Sequence, residues 1–269
     1  MSYIEAEYEM SERQACRLLG LGRSTHRYRA RRAERDAALR RRRLKELAAK
    51  RMRFGYRRLR TLLVREGMAA NHKRVYRLYR EERLAMRIRS RRRMRWSGVV
   101  TNPAASRPNE RWSMDFVSDC VSTGKEIRMW TVVDDCTREC PAIEVDTSLG
   151  GLRVRRVLDR IASERGLREA IVLDNGPEFR GRALAAWSGE RGVRLEFIQP
   201  GKPVQNAYAE SFNGRLRDEC LNANWFTSLS DARRKIESWR QDYNQQRPHS
   251  SLNYVPPTEF ARTVMEMRA

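Results

Sequence analysis

The chain has 269 residues, of which 40% are hydrophobic and 33% charged, and its formal net charge is +22. That length holds a medium catalytic domain plus a smaller one, each with a core of its own. No apolar stretch approaches the roughly 18–20 residues needed to cross a bilayer, and the acidic N-terminus MSYIEAEYEMSERQ lacks a secretion signal's apolar centre, so a cytoplasmic protein without a membrane partner is expected.

Cysteine usage agrees. Cys16, Cys120, Cys136, Cys140 and Cys220 are odd in number and form no CxxC pair, which suits a reducing compartment. With only His26, His72 and His249 available, no zinc-like Cys/His spacing assembles. Charge divides the chain unevenly. Residues 1–100 carry 31 Lys+Arg against 10 Asp+Glu, whereas the other 169 residues carry 25 against 24. A basic nucleic-acid-gripping region joined to a near-neutral catalytic region accounts for this better than a uniformly basic enzyme does.

In chain order, Ser11 to Gly20 predicts a short helix, with Ser11 and Gln14 forming a capping box and Ala15, Leu18 and Leu19 on one face. A second short helix starting at Ser24 and carrying His26, Arg27 and Tyr28 would complete a helix-turn-helix outline. Leu44, Leu47, Ala48 and Met52 recur at helical spacing. FGYRRLRTLLVREG continues with Leu59, Leu62 and Leu63 inward, and Asn71 caps a third helix whose apolar face is Val75, Leu78 and Tyr79. Lys73, Arg74, Arg77 and Arg80 then face outward, toward DNA rather than toward acids, because Arg outnumbers acid too heavily for ion pairing. Arg91, Arg92 and Arg93 extend the basic run as phosphate contacts into a Pro/Ser/Asn-rich linker. The expected domains are a helix-turn-helix-like segment over 1–35, a helical basic unit over 36–90, a linker over 91–109, and a catalytic core with a helical extension over 110–269.

From Glu110 the texture changes. RWSMDFVSDCV, EIRMWTVVDDCTREC and AIEVDTS predict three antiparallel strands. A helix over GLRVRRVLDRIASERG, the buried-type strand AIVLDN, a helix over RALAAWSGERG and the strand RLEFIQP follow. Helices over QNAYAESFNGRLRDECL and DARRKIESWRQDYNQQR come last. This order predicts an α/β fold: a ribonuclease-H-like mixed five-stranded sheet with flanking helices, preceded by an all-helical basic DNA-binding region.

Three acids in this region come from three separate segments: Asp115 in the first strand, Asp174 at the end of the fourth, and Glu210 on the following helix, with 35 residues between the last two. Two strand carboxylates and one helix carboxylate suit a pair of Mg²⁺ ions, with Mn²⁺ as the substitute, for in-line displacement at phosphodiesters. Taken singly, each is an ordinary surface acid or cap; jointly and in this order they read as a site. Of the rival acids, Asp134 and Asp135 close the second strand, Glu178 starts a helix after the DNGP turn, and Asp119 has no assigned role. His249 is read as structural. Arg217 falls on nearly the same helix face as Glu210, with Asn206 and Asn213 beside it, so entering DNA would meet a basic group and two amides.

The segments WSMDFVSD, TVVDDCTRE, DNGPEF, FIQPGKPVQNAYAESFNGRLRDECLN and YNQQRPHSSLNYVPPTEF resemble the bacterial insertion-sequence transposases related to retroviral integrases. More narrowly the chain resembles the second-frame OrfB product of the IS-three family, over about residues 40–262. The resemblance implies a DDE triad of Asp115, Asp174 and Glu210 and a terminal-DNA contact at Arg217. It also implies DNA nicking and strand transfer at element ends, and partners that include terminal repeats, target DNA, further copies of the chain and a fusion with the upstream-frame product. Leu173 stands where relatives often carry a small polar residue. A non-catalytic DNA-binding regulator derived from a transposon and a structure-selective nuclease are the alternative readings. A bacterial, nucleoid-associated location follows from the transposase reading.

Overall fold

The computed structural model describes residues 7–27, 31–68, 71–86, 105–166, 169–176, 178–199 and 203–267. Ser11 caps α1 (Glu12–Leu18) by accepting from Gln14 N, while the Gln14 side chain accepts from Ser11 N at 3.0 Å, which completes the capping box. Arg27 at the end of α2 (Arg23–Arg27) clamps Glu12 at 2.7 Å and ties the two short helices together. The expected apolar face is corrected here. Ala15 and Cys16 are the buried pair, and Leu18 and Leu19 stand in solvent, because a two-turn helix covers only one narrow stripe. Tyr28 lies outside the described residues.

Three further helices build one small core. α3 (Arg31–Lys50), α4 (Tyr56–Arg65) and α5 (His72–Glu81) bury Leu44, Leu47, Leu59, Leu63, Val75, Leu78 and Tyr79 around Phe54, with Leu62 partly buried. Met52 does not join them, since α3 has already ended at Lys50 and the side chain is 63% exposed. Asn71 Oδ1 accepts from Lys73 N at 2.9 Å and starts α5, as an N-cap carboxamide should.

The second half is a five-stranded sheet in the order β3-β2-β1-β4-β5. β1 (Arg111–Cys120), β2 (Glu126–Asp134) and β3 (Ala142–Asp146) are antiparallel neighbours; β4 (Ala170–Leu173) and β5 (Arg194–Phe197) run parallel to β1. Helices α6 (Gly151–Arg165) and α7 (Arg182–Arg191) supply the crossovers that parallel strands require. They pack on one face through Val154, Leu158, Ile161, Leu184 and Trp187 against Trp112, Met114, Trp130 and Ile171. The opposite face carries α8 (Ala207–Glu219) and α9 (Leu229–Gln245), whose Phe212, Leu216, Ile236 and Tyr243 cover Val117, Ile127, Met129 and Val133. The alternation of side chains along β1 and β2 thus feeds two cores at once. A last helix, α10 (Pro257–Glu266), has proline in its first turn, where the missing N–H costs no bond. No helix among the described residues is long and apolar enough to cross a membrane.

The two halves meet through ion pairs. Arg51 pairs with Asp242, Arg65 with Glu259 at 2.8 Å, and Arg53 with Asp218 at 3.7 Å. Glu219 sits between Arg58 at 3.2 Å and Arg247 at 2.6 Å, all three largely removed from water. An arginine as buried as Arg247, 1% exposed, is tolerable only with such a bidentate partner.

Candidate active site

Strands β1 and β4 run side by side with Ser113 aligned to Val172. Two residues further along each, Asp115 comes alongside Asp174, just past the end of β4. Asp115 shares its face of β1 with Val117, the face that α8 covers. Leu173 points to the opposite face and is fully buried among the α6–α7 core. Alternation therefore turns Asp174 toward the α8 side, and Leu173 serves as the apolar anchor that ends the strand. Glu210 lies in the first turn of α8, exposed to solvent.

Both oxygens of Asp115 are held. Phe116 N donates to Oδ1 at 2.8 Å and Asn213 Nδ2 donates to Oδ2 at 2.9 Å. Thr131, the cross-strand partner of Asp115, offers its hydroxyl to Asn213 Oδ1 at 2.9 Å and to the Asp115 carbonyl at 3.1 Å. At Asp174, Gly176 N donates to Oδ1 at 3.1 Å. A Cβ at Gly176 would lie 3.0 Å from that oxygen and 3.1 Å from Glu178 Oε2, so this turn needs the smallest residue for the backbone to approach the carboxylate.

Burial pushes the Asp115 carboxyl up from its ordinary value, opposed by its two hydrogen bonds, and the negative charge of Asp174 pushes it further in the same direction. Burial, then the charge of Asp115, likewise raises Glu210. The charge of Asp174 is thus felt at Asp115, and that of Asp115 at Glu210. Among the described residues no three Asp, Glu, His or Cys side chains are gathered tightly enough to form a ready metal-ligand group. The donor set consists of carboxylate oxygens alone, the hard ligands that suit Mg²⁺ or Mn²⁺ and not zinc.

The rivals have other work. Asp134 accepts from the backbone of Asn109, Cys136 and Thr137 at 2.6–2.9 Å and ties the β2 turn together. Asp135 takes Ser113 Oγ at 2.6 Å and Arg111 Nε at 2.7 Å. Glu178 does not start a helix. It sits in a turn ahead of α7 and binds Arg128 at 2.6 Å, while that guanidinium lies over the Phe116 ring. His249 packs edge-on against Tyr243, and its N–H backbone group bonds Val255.

The expectation that Asn206 and Asn213 face DNA is corrected by their burial, 2% and 9% exposed. Asn206 Nδ2 donates to the Met114 carbonyl at 3.0 Å and pins the start of α8 to β1; Asn213 orients Asp115. Arg217 is exposed on α8 and reaches back to the Ser118 carbonyl at 2.9 Å, leaving donors of its planar fork free for solvent or a phosphate. In α5, Lys73, Arg77 and Arg80 are exposed and Arg74 half-buried; Arg77 also meets Glu81 at 3.5 Å. Arg91, Arg92 and Arg93 lie outside the described residues. Thr131 and Gly176 escaped the sequence reading; the signal for Thr131 is its register opposite Asp115, a hydroxyl inside an apolar strand.

Residues 105–203 and 191–257 each match a family model described as integrase core domain, and residues 34–93 match one described as HTH-like domain. The chain is 54% identical over 267 residues to the insertion element IS407 uncharacterized 31.7 kDa protein of Burkholderia multivorans, covering 97% of this chain and 94% of that protein. It is 28% identical over 219 residues to the putative transposase InsK for insertion sequence element IS150 of Escherichia coli, covering 77% of each. In fold it is similar to a chain of the simian T-cell lymphotropic virus intasome in complex with PP2A regulatory subunit B56 gamma. That match has a TM-score of 0.52 at 13% identity and covers 81% of this chain and 74% of that one.

Proposed function

The chain belongs to the IS-three family of bacterial insertion-sequence transposases, OrfB type, and from that premise we propose that Asp115, Asp174 and Glu210 are the acids with which it cuts and joins DNA strands. The observation that carries this is the state of Asp115: half-buried, hydrogen-bonded at both oxygens, and repelled by a second acid while it repels a third. Such an arrangement is unfavourable alone and favourable around a cation. Two divalent cations, Mg²⁺ or Mn²⁺, would supply Lewis-acid stabilisation of the attacking and leaving oxygens of an in-line displacement.

The chain's own residues supply the positioning. Asn213 and Phe116 N–H keep Asp115 in one rotamer, and Gly176 N–H does the same for Asp174. Arg217, two turns along α8 from Glu210, lies where a phosphate of the bound strand would pass. Lys73, Arg74, Arg77 and Arg80, with Arg91, Arg92 and Arg93, hold the duplex through its backbone, and the basic N-terminal helices thereby deliver element ends to the acids. The same centre first hydrolyses one phosphodiester and then uses the freed 3′-OH to attack a second. Two ends must be brought together, so at least two copies act on DNA, with the upstream-frame product as fusion partner or companion.

The test is cleavage of labelled element-end duplex in Mg²⁺ by the full chain and by Asp174→Asn. The variant should lose nicking and strand transfer by at least about 100-fold while still binding DNA. Nicking at the wild-type rate would sink the assignment.

A further inference from the structure

A cavity of about 330 Å³ opens on a different side of α8 from Glu210, bounded by that helix, the end of β2, the turn after it and the segment His249–Ser251. At about 100° per residue, Tyr208, Ser211 and Arg215 lie roughly 100–160° around the helix from Glu210. Three guanidinium groups line this cavity: Arg58 from the N-terminal helices, Arg138 from the turn after β2, and Arg215 from α8. Among the described residues no acidic side chain lines it.

We propose that this cavity is a phosphate-binding site, separate from the catalytic acids and formed only where the N-terminal helices meet the core. Arg138 stacks on the Tyr208 ring at 3.8 Å, and its Nη1 is buried with no hydrogen-bond partner. A guanidinium N–H left without an acceptor is costly, and the rest of the half-exposed Arg138 fork is available to donate to an anion in the cavity. The Arg138 backbone has φ +63, a conformation that a non-glycine residue holds only where its surroundings impose it. Arg58 is paired with Glu219 but brings further donors, and Arg215 is exposed and, among the described residues, pairs with no acid. Hydroxyls of Tyr208, Ser211, Ser250 and Ser251 complete a set of neutral donors around the charged ones.

The electrostatics agree. His249, on the wall, is pushed down to about 3 by burial and then by Arg247, Arg138, Arg58 and Arg215. Arg58 itself is lowered to about 10 by burial and the nearby Arg247, with Glu219 opposing. Like charge is crowded around this cavity, and a tetrahedral oxyanion fits arginine forks geometrically. The phosphate can belong to a DNA backbone or to a free phosphate compound, and the two sources are separable.

The test uses the full chain without divalent metal, so that it reads binding whether or not the acids cut DNA. Duplex affinity is measured against salt for wild type, Arg215→Gln, Arg138→Gln and Arg215→Lys. Thermal melting is measured with and without about 10 mM inorganic phosphate, a concentration set by the weakness of a single-phosphate contact. If DNA supplies the phosphate, each Gln variant lowers the slope of log K against log salt by about 0.9, and Arg215→Lys restores most of it. If free phosphate is the ligand, the slope is unchanged but the wild-type melting rise on phosphate addition disappears in the Gln variants. An unchanged slope together with a melting response equal in all four proteins overturns the proposal. Arg215 is exposed, so its variants fold even if Arg138→Gln does not.

Discussion

Asn213→Ala isolates the positioning of one acid from its chemistry. The substitution removes the Nδ2 donor at 2.9 Å from Asp115 Oδ2, and with it the acceptor that Thr131 uses at 2.9 Å. Thr131 is not orphaned, because its hydroxyl also reaches the Asp115 carbonyl at 3.1 Å. The loss therefore falls on the carboxylate. A hydrogen bond to a charged group contributes about 1.5–3 kcal/mol, which sets the expected fall in folding stability. The functional loss has a different source: Asp115 keeps only the Phe116 N–H on Oδ1 and regains rotation about χ2. Removing an outer hydrogen-bond partner of a metal-ligating side chain costs about 10–100-fold in metal affinity or activity. Because Asn213 opposes the burial that raises the Asp115 carboxyl, its removal should move the acid limb of the cleavage profile to higher pH. The assay is nicking of labelled duplex across Mg²⁺ concentration at several pH values. A half-saturating Mg²⁺ within about twofold of wild type, with the acid limb unmoved, would refute the positioning role.

Glu219→Ala removes the carboxylate that accepts both Nε and Nη2 of Arg247, which is 1% exposed, and also frees Arg58. An uncompensated buried charge costs about 3–5 kcal/mol, to be read by urea melts; a loss below about 1 kcal/mol would show that water reaches Arg247. His249 has a folded pKa of about 3 against 6.5 in the unfolded chain, so below 6.5 the unfolded state binds the extra proton. Stability is fully present above pH 6.5 and falls by about 1.4 kcal/mol per pH unit on the way down toward 3. In phosphate-free buffer, His249→Asn should lose less stability than wild type between pH 7 and pH 5; equal slopes would contradict the burial of a neutral ring.

Much of the architecture was legible because periodicity reports which face is buried. β1 and β2 send alternate side chains to two different cores, all five expected strands form along the chain, and Asn71 and Ser11 cap the helices they were expected to cap. The failures are equally physical. Helical spacing alone put Leu18, Leu19 and Met52 inside, but one sits on a helix too short to bury its last turn, another follows that helix's end, and the third follows the end of α3. Asn206 and Asn213 lie on the Glu210 side of α8 as spacing requires, yet Glu210 is exposed while both amides are buried and bonded to β1. Helix phase gives direction without depth. The arginine cavity was invisible because Arg58, Arg138 and Arg215 come from three segments whose meeting depends on how the two halves dock.

The central claim is that one acid from each of β1, the end of β4 and α8 converges on a shared pair of divalent ions. Crystals of the full chain with bound DNA, grown in Mn²⁺ and read by anomalous scattering at the manganese edge, test it without reference to rate. Two peaks should appear about 3.5–4 Å apart, with oxygens of Asp115, Asp174 and Glu210 as the protein ligands. Manganese bound elsewhere, or bound with Glu210 facing solvent, would contradict the account.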